Sequence, residues 1–297
     1  MMNKRDSDGP PQIFDRALYA RRRARASGTD FLVRDVAVHI AERIAAVNRR
    51  FHCALDLSSR KASFAELEPL ADRWTRTAFW ASGAPMVADE EALPFIEQSF
   101  DLIVSVLSLH AVNDLPGALV QIRQALKPDG LFLAALFGGE TLKQLREALL
   151  AAESEITGGT TPRVAPFADV RDLGALLQRA SFALPVADVE RTTVRYREFS
   201  TLARDLRALG ETNSLHGRSR KFLRRDMLAT ALAHYQHAHA EADDRFRTTF
   251  DVVYLTGWAP DDTQPKPLRP GSARARLANA LATHELPAGD AVPTGTR

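Results

Sequence analysis

The chain of 297 residues carries a single cysteine, Cys53. One thiol excludes an internal disulfide and fits a reducing compartment. Its place in an apolar run reads as a buried structural thiol rather than a nucleophile. Long hydrophobic runs are missing too: no apolar stretch approaches the ~18 residues that a membrane-crossing helix needs. The start lacks the hydrophobic region of a secretory signal, and Asp6, Asp8 and Asp15 argue against a transit peptide. The expectation is a soluble, cytoplasmic chain. Charge of one sign is also scarce. With 39 Lys and Arg against 37 Asp and Glu, the formal net charge is +2, which gives no footing for binding nucleic acid.

What is present is ordinary for a globular protein. Hydrophobic residues make up 45% and charged residues 26%, enough for one large domain, or one domain with an inserted subdomain. The positive charge is uneven. Arg21, Arg22, Arg23 and Arg25 form one cluster, and Arg218, Arg220, Lys221, Arg224 and Arg225 another. The simpler reading is two solvated basic faces; the other is a contact with an acidic protein or an anionic membrane surface.

Along the chain, residues 1–12 are polar and read as a disordered lead. Phe14–Val47 reads as helical, with Phe31, Val36, Val38, Ile40, Ile44 and Val47 as its apolar stripe. Strands then alternate with helices: Phe51–Leu57 (strand), Ala62–Asp72 (helix), Thr75–Trp80, Pro85–Ala88 and Phe100–Leu107 (strands) and Leu115–Leu126 (helix). The turn Lys127-Pro128-Asp129-Gly130 precedes a strand over Leu131–Leu136. Helices at about 140–156 and 169–180 follow, then a strand over Pro185–Tyr196, a helical stretch over 198–240, and a last strand over Phe250–Trp258. This alternation predicts an α/β fold, a doubly wound, mostly parallel sheet covered by helices on both faces. The organisation is therefore a domain over 13–259, with residues 197–249 as a helical lid inserted before the last strand, and an extended tail over 260–297.

In open parallel sheets, ligands sit at the carboxyl ends of the strands, where the strand order reverses. A first strand ending in an acid and a glycine-rich turn lets the backbone approach the ligand. Here that stretch is Ala54-Leu55-Asp56-Leu57-Ser58-Ser59-Arg60-Lys61-Ala62. The strand and its acid are present, and the glycines are not.

Three further segments carry a resemblance. Val87-Ala88-Asp89-Glu90-Glu91-Ala92-Leu93-Pro94-Phe95, Phe100-Asp101-Leu102-Ile103-Val104-Ser105 and Leu126-Lys127-Pro128-Asp129-Gly130 follow the order and spacing of class I methyltransferases that use S-adenosylmethionine. The chain resembles that superfamily and its Rossmann-like seven-stranded sheet. Within it, the chain is most similar to the mitochondrial complex I assembly factor with arginine hydroxylase activity, and to its bacterial relatives. Ser108-Leu109-His110-Ala111-Val112-Asn113-Asp114-Leu115-Pro116, Phe137-Gly138-Gly139-Glu140-Thr141-Leu142, Leu209-Gly210-Glu211-Thr212-Asn213, Thr256-Gly257-Trp258 and Pro267-Leu268-Arg269-Pro270-Gly271-Ser272 carry this closer likeness. It implies an enzyme acting on an arginine of a partner protein, a subunit of the respiratory NADH dehydrogenase, at the inner face of the membrane. It also implies S-adenosylmethionine as cofactor, held by Asp56, Ser58, Asp89, Glu90 and Ser105, with Asp89 facing the adenine.

The departures from the family bear on that cofactor. Ser58, Arg60 or Lys61, and Ala62 stand at glycine positions, and a non-glycine residue in left-handed geometry costs roughly 1–2 kcal/mol. Arg60 and Lys61 either block the pocket or reach out to solvent. Strand two and the residues after it, Thr75–Ser82, have no carboxylate for the ribose hydroxyls, and only 32 residues lie between Asp56 and Asp89, too few for two helices and two strands of ~11 and ~5 residues. Ala111 stands where the family has a tryptophan. These losses leave a rival reading from another class, a non-catalytic assembly or binding protein with a degenerate cofactor site. An ordinary small-molecule methyltransferase is the third reading.

Four residues are catalytic candidates. His110 follows strand four, where substrate-contacting groups gather. Asn113 lies beside it, although Asn113 and Asp114 equally suit a helix N-cap. By the same resemblance, Glu211 and Asn213 would receive a substrate guanidinium, which a carboxylate suits; the other reading is the turn that ends a helix at Gly210. His234, His237 and His239, followed by Asp243, read as surface histidines rather than a metal site, and no metal is expected. The glycine pair Gly138-Gly139 allows close approach of a ligand or partner.

Overall fold

Every residue of the segment Phe100-Asp101-Leu102-Ile103-Val104-Ser105-Val106 is buried, because both faces of this strand are covered. It is the centre of the sheet in the computed structural model, which describes residues 11–26, 31–58, 60–79, 86–241, 243, 245–265 and 277–284. The expected lead over 1–12 lies largely outside them, as do residues 266–276 and 285–297 of the expected tail. The chain divides into two units, Met1–Asp261 and Asp262–Arg297. The second contains a helix over Leu277–Ala280, and everything below concerns the first.

Seven strands, β1 (Phe51–Asp56), β2 (Ala71–Ala78), β3 (Met86–Val87), β4 (Phe100–Val106), β5 (Leu126–Phe137), β6 (Ala183–Tyr196) and β7 (Phe246–Trp258), form one sheet in the order β3-β2-β1-β4-β5-β7-β6. Neighbours from β3 to β5 pair parallel, and β7 pairs antiparallel with both β5 and β6. This is the expected α/β, Rossmann-like, mostly parallel sheet. Side chains alternate across it with the period of two that a strand dictates. Leu102, Val104, Val106, Leu131, Leu133 and Ala135 join one core cluster, while Ile103, Phe132, Ala134 and Leu136 join the other.

Helices close both faces. The first holds α2 (Phe31–Ala45), α5 (Lys143–Thr157), α7 (Phe199–Leu209) and α8 (Arg225–His239); the second holds α4 (Leu115–Ala125) and α6 (Val170–Arg179). In α2, Leu32, Val33, Val36, Ala37, Ile40 and Ile44 are buried, the apolar stripe of an amphipathic helix. The segment 197–249 holds α7 and α8, between β6 and β7.

Several boundaries differ from the sequence reading. The helix over Phe14–Val47 is two helices, α1 (Arg16–Arg25) and α2, since the chain leaves helical geometry at Ala26. The helix α3 (Lys61–Leu67) passes into a 3-10 turn over Glu68–Leu70 with Pro69 in its first turn, and β2 starts at once, its Ala71 level with Phe51. Lys127–Gly130 is a bulge inside β5 rather than a turn before it: the register against β4 shifts there, and Asp129 takes a positive φ of 57°. Seven residues, 79–85, join β2 to β3, and residues 80–85 lie outside the described ones.

Candidate active-site cleft

The strand order reverses between β1 and β4, so the carboxyl ends of these strands frame the crevice where such sheets bind ligands. Asp56 ends β1 fully buried. Its Oδ1 accepts from Ser58 N (2.9 Å) and Ser58 Oγ (2.6 Å), and its Oδ2 lies 3.6 Å from Arg76 Nε. Arg60 turns inward. Its Nη2 donates to the Leu107 carbonyl and to Glu211 Oε1, each at 2.8 Å, and its Nη1 to the Leu209 carbonyl at 3.0 Å. Arg60 therefore fills the crevice; the side chains of Lys61 and Ala62 lie outside the described residues.

Helix α1 sends in two more guanidinium groups. Arg16 and Arg23 are seven positions apart, two turns along one face. Arg16 Nη2 donates to Asp89 Oδ1 (3.0 Å) and to Glu90 Oε2, and Nη1 to the Ala111 carbonyl (3.2 Å). The group lies 4.1 Å over the Phe79 ring, a cation–π contact. Burial would lower the Arg16 pKa, but the Glu90 and Asp89 carboxylates outweigh it and hold it above the ordinary value. Arg23 Nη1 donates to the Leu107 carbonyl (3.0 Å), and Nη2 reaches the Ser58 carbonyl (3.5 Å), so this side chain bridges the ends of β4 and β1.

α1 is fastened at its start. Asp15 caps it by accepting from Leu18 N (2.9 Å), the bond an N-cap supplies. Asn113 clamps Phe14 from both sides, Oδ1 accepting from Phe14 N (2.8 Å) and Nδ2 donating to Phe14 O (3.2 Å). Asp15 N donates to Ser214 O (2.8 Å), and Arg218 Nη2 lies 3.2 Å from Asp15 Oδ2.

Beside the crevice lies a cavity of about 200 Å³ whose walls include Tyr19, His110, Phe137, Phe167, Leu206 and Glu211. The His110 ring is 4.8 Å from Phe137 and 5.8 Å from Phe167, centroid to centroid. Its Nε2 lies 3.1 Å from Glu211 Oε2, while Glu211 Oε1 accepts from Tyr19 OH (3.1 Å) as well as from Arg60. Burial pushes the Tyr19 phenol well above its ordinary pKa against the pull of Arg23, so it stays a donor. Glu211 reaches this position because Gly210 ends α7 with φ +76° and Glu211 N bonds back to Leu206 O (2.9 Å). Glu211 thus belongs to the turn that ends α7, and its carboxylate gathers Tyr19, Arg60 and His110.

The remaining sequence candidates are spread out. Glu90 is buried and accepts from Ser108 Oγ (2.6 Å) as well as from Arg16. Ser105 is buried in β4, its hydroxyl without a partner among the described residues. Asn213 ties a loop, donating to Pro162 O and accepting from Leu215 N, both at 3.0 Å. Asp114, not Asn113, caps α4, accepting from Gly117 N (2.9 Å). Gly138 meets the protein's own β7: an added Cβ would lie 2.8 Å from Val253 Cγ2. Among the described residues no cluster suits a metal; His234 and His239 pair with Glu155 and Glu147. Two expectations need correction. Cys53 is half-buried, its Sγ 2.9 Å from Arg73 Nη2, because it lies in the outer half of β1. Arg23 belongs to the cleft, not to a solvated face. Among the described residues no helix is long and apolar enough to cross a membrane.

Sequence reasoning missed Arg16, Tyr19, Arg23 and Phe167 as parts of the site. The seven-residue spacing of the two arginines and the Tyr19–Arg23 spacing of four were the available signals.

Comparison with known proteins places this geometry. A family model described as a methyltransferase domain matches residues 34–134. The zebrafish (Danio rerio) protein named arginine-hydroxylase NDUFAF5, mitochondrial, is 38% identical over 286 residues, covering 90% of this chain and 89% of that one. A malonyl-[acyl-carrier protein] O-methyltransferase of Halorhodospira halophila is 35% identical over 260 residues, covering 82% of this chain and 86% of its own. The crystal structure of the YcgJ protein of Bacillus subtilis shares the fold with a TM-score of 0.52 at 14% identity, covering 75% of this chain and 99% of that one.

Proposed function

We propose, for a chain that belongs to the class I methyltransferase superfamily and, within it, to the family of arginine-hydroxylase NDUFAF5, that it acts on an arginine side chain of a partner polypeptide. The observation that carries this reading is the cavity beside Glu211, walled by aromatic rings and closed at one side by a carboxylate. A guanidinium is planar and only donates hydrogen bonds, so it suits ring faces and a carboxylate together. Phe137 and Phe167 would hold its plane, Glu211 Oε2 would accept its N–H groups, and His110 would orient that carboxylate. By the same resemblance, the partner is a subunit of the respiratory NADH dehydrogenase. The basic segment around Phe222, fully exposed between Lys221 and Leu223, would meet it at an anionic membrane surface.

One observation favours a second reading, a binding protein without chemistry: Glu211 already carries Arg23, Arg60, Tyr19 and His110. The test is to express the chain with the partner subunit and weigh that subunit's arginine-containing peptides. A gain of one oxygen atom, lost with Glu211→Gln, supports arginine hydroxylation. A gain of one methylene would instead make the chain a methyltransferase. A stable complex with every arginine unmodified leaves the binding reading.

A further inference from the structure

We infer that the crevice between β1 and β4 is a guanidinium site filled by the protein's own arginines, and that S-adenosylmethionine is shut out while α1 is docked. This stands apart from the proposed function and does not depend on it. The cofactor implied by the superfamily has three parts, and each meets an arginine. On the adenine side, Asp89 and Glu90 are bonded to Arg16, which also covers the Phe79 ring face. On the ribose side, the carboxyl end of β2 offers no carboxylate; the strand's one acid, Asp72, lies at its start beside Arg50. Arg76 stands there instead, stacked 3.8 Å over the Phe64 ring with its Nε 3.6 Å from Asp56 Oδ2. On the amino-acid side, Arg60 and Arg23 both donate to the Leu107 carbonyl at the end of β4.

The charge balance points the same way. Five carboxylates (Asp56, Asp89, Glu90, Glu91 and Glu211) face four guanidinium groups (Arg16, Arg23, Arg60 and Arg76). A cationic sulfonium entering this crevice finds all but one of the five carboxylate charges matched and four fixed cations nearby. Two of the four come from α1. With α1 undocked, five carboxylates face two guanidinium groups, and the crevice turns from closed, with one carboxylate in excess, to open, with three in excess. In that state it suits a cationic ligand. α1 therefore works as an internal plug whose arginines take the place of such a ligand.

The test is calorimetric titration of S-adenosylmethionine into the full chain and into an Arg16→Gln, Arg23→Gln variant, with hydrogen exchange over residues 16–25 followed in parallel. The expected result is binding weaker than ~1 mM to the natural chain and at least about tenfold tighter binding to the variant. If the natural chain does bind, the plug requires that exchange over 16–25 speeds up with the ligand. Micromolar binding with that exchange unchanged overturns the inference, and so does a folded variant that binds no better than the natural chain. Should the double variant not fold, Arg16→Gln alone is read by the same two criteria.

Discussion

Replacing Glu211 by glutamine keeps the shape of the side chain and removes the charge that two buried guanidinium groups share. Arg60 and Glu211 are 7% and 12% exposed, so solvent cannot take over the role of the carboxylate. Breaking a buried pair by neutralising one partner costs about 3–5 kcal/mol, because the other charge stays buried and uncompensated. The low end applies here, since Arg60 keeps the Leu107 and Leu209 carbonyls as acceptors. A loss of about 3 kcal/mol lowers Tm by roughly 6–12 °C for a domain of this size. The assay is thermal and urea unfolding of Glu211→Gln, then of Glu211→Gln combined with Arg60→Met. Taking away the orphaned cation should restore part of the loss, and the size of that coupling measures the pair directly. A fall in Tm under about 2 °C for Glu211→Gln, or no recovery in the double variant, would refute the view of Glu211 as the charge centre of the cleft.

Three smaller predictions test other parts of the molecule. Gly257→Ala puts a Cβ 2.8 Å from the Phe182 ring, which is itself stacked on Phe132 and has nowhere to go; urea unfolding should show a loss of about 1–3 kcal/mol. Asp15 is held below its ordinary pKa of 3.8 by the Leu18 N–H it caps and by Arg218. An acid with a lowered folded-state pKa contributes stability that is complete above its unfolded value and is lost as the pH falls through the folded one. Amide exchange of α1 should therefore be independent of this group near neutral pH and speed up only below about pH 4; acceleration already between pH 7 and pH 5 would assign the docking to other groups. Phe222→Ser should leave stability within about 0.5 kcal/mol, as its side chain is fully exposed, while weakening co-sedimentation with anionic vesicles. Unchanged sedimentation would remove the membrane contact from the functional reading.

The parts of this fold legible in the sequence are those fixed by local pattern. The run of β4 is apolar throughout because both faces are covered, and the stripe of α2 repeats at helical spacing. Edges were harder. β7 begins at Phe246, four residues before the expected Phe250, because pairing with β6 carries it through polar Arg247, Thr248 and Thr249. The site was least legible, since its side chains are positioned by partners far away in sequence. Arg60 and Glu211 are 151 residues apart, Arg23 and Glu211 188, and Arg16 and Glu90 74. A run of arginines near the start therefore reads as surface, although Arg23 spans the centre of the cleft. The missing glycines were visible from the start, and Arg60 in their space was one of two readings; that Arg16, Arg23 and Arg76 join it was not. These two facts are one. A turn without glycine puts a long side chain into the crevice, and a buried cation there persists only beside a carboxylate. Glu211, supplied by the segment inserted between β6 and β7, pairs with that side chain, and Asp89 and Glu90 bind Arg16. The acids of the crevice thus hold the fold together around a turn without glycine, and for that reason neutralising Glu211 should register first as lost stability.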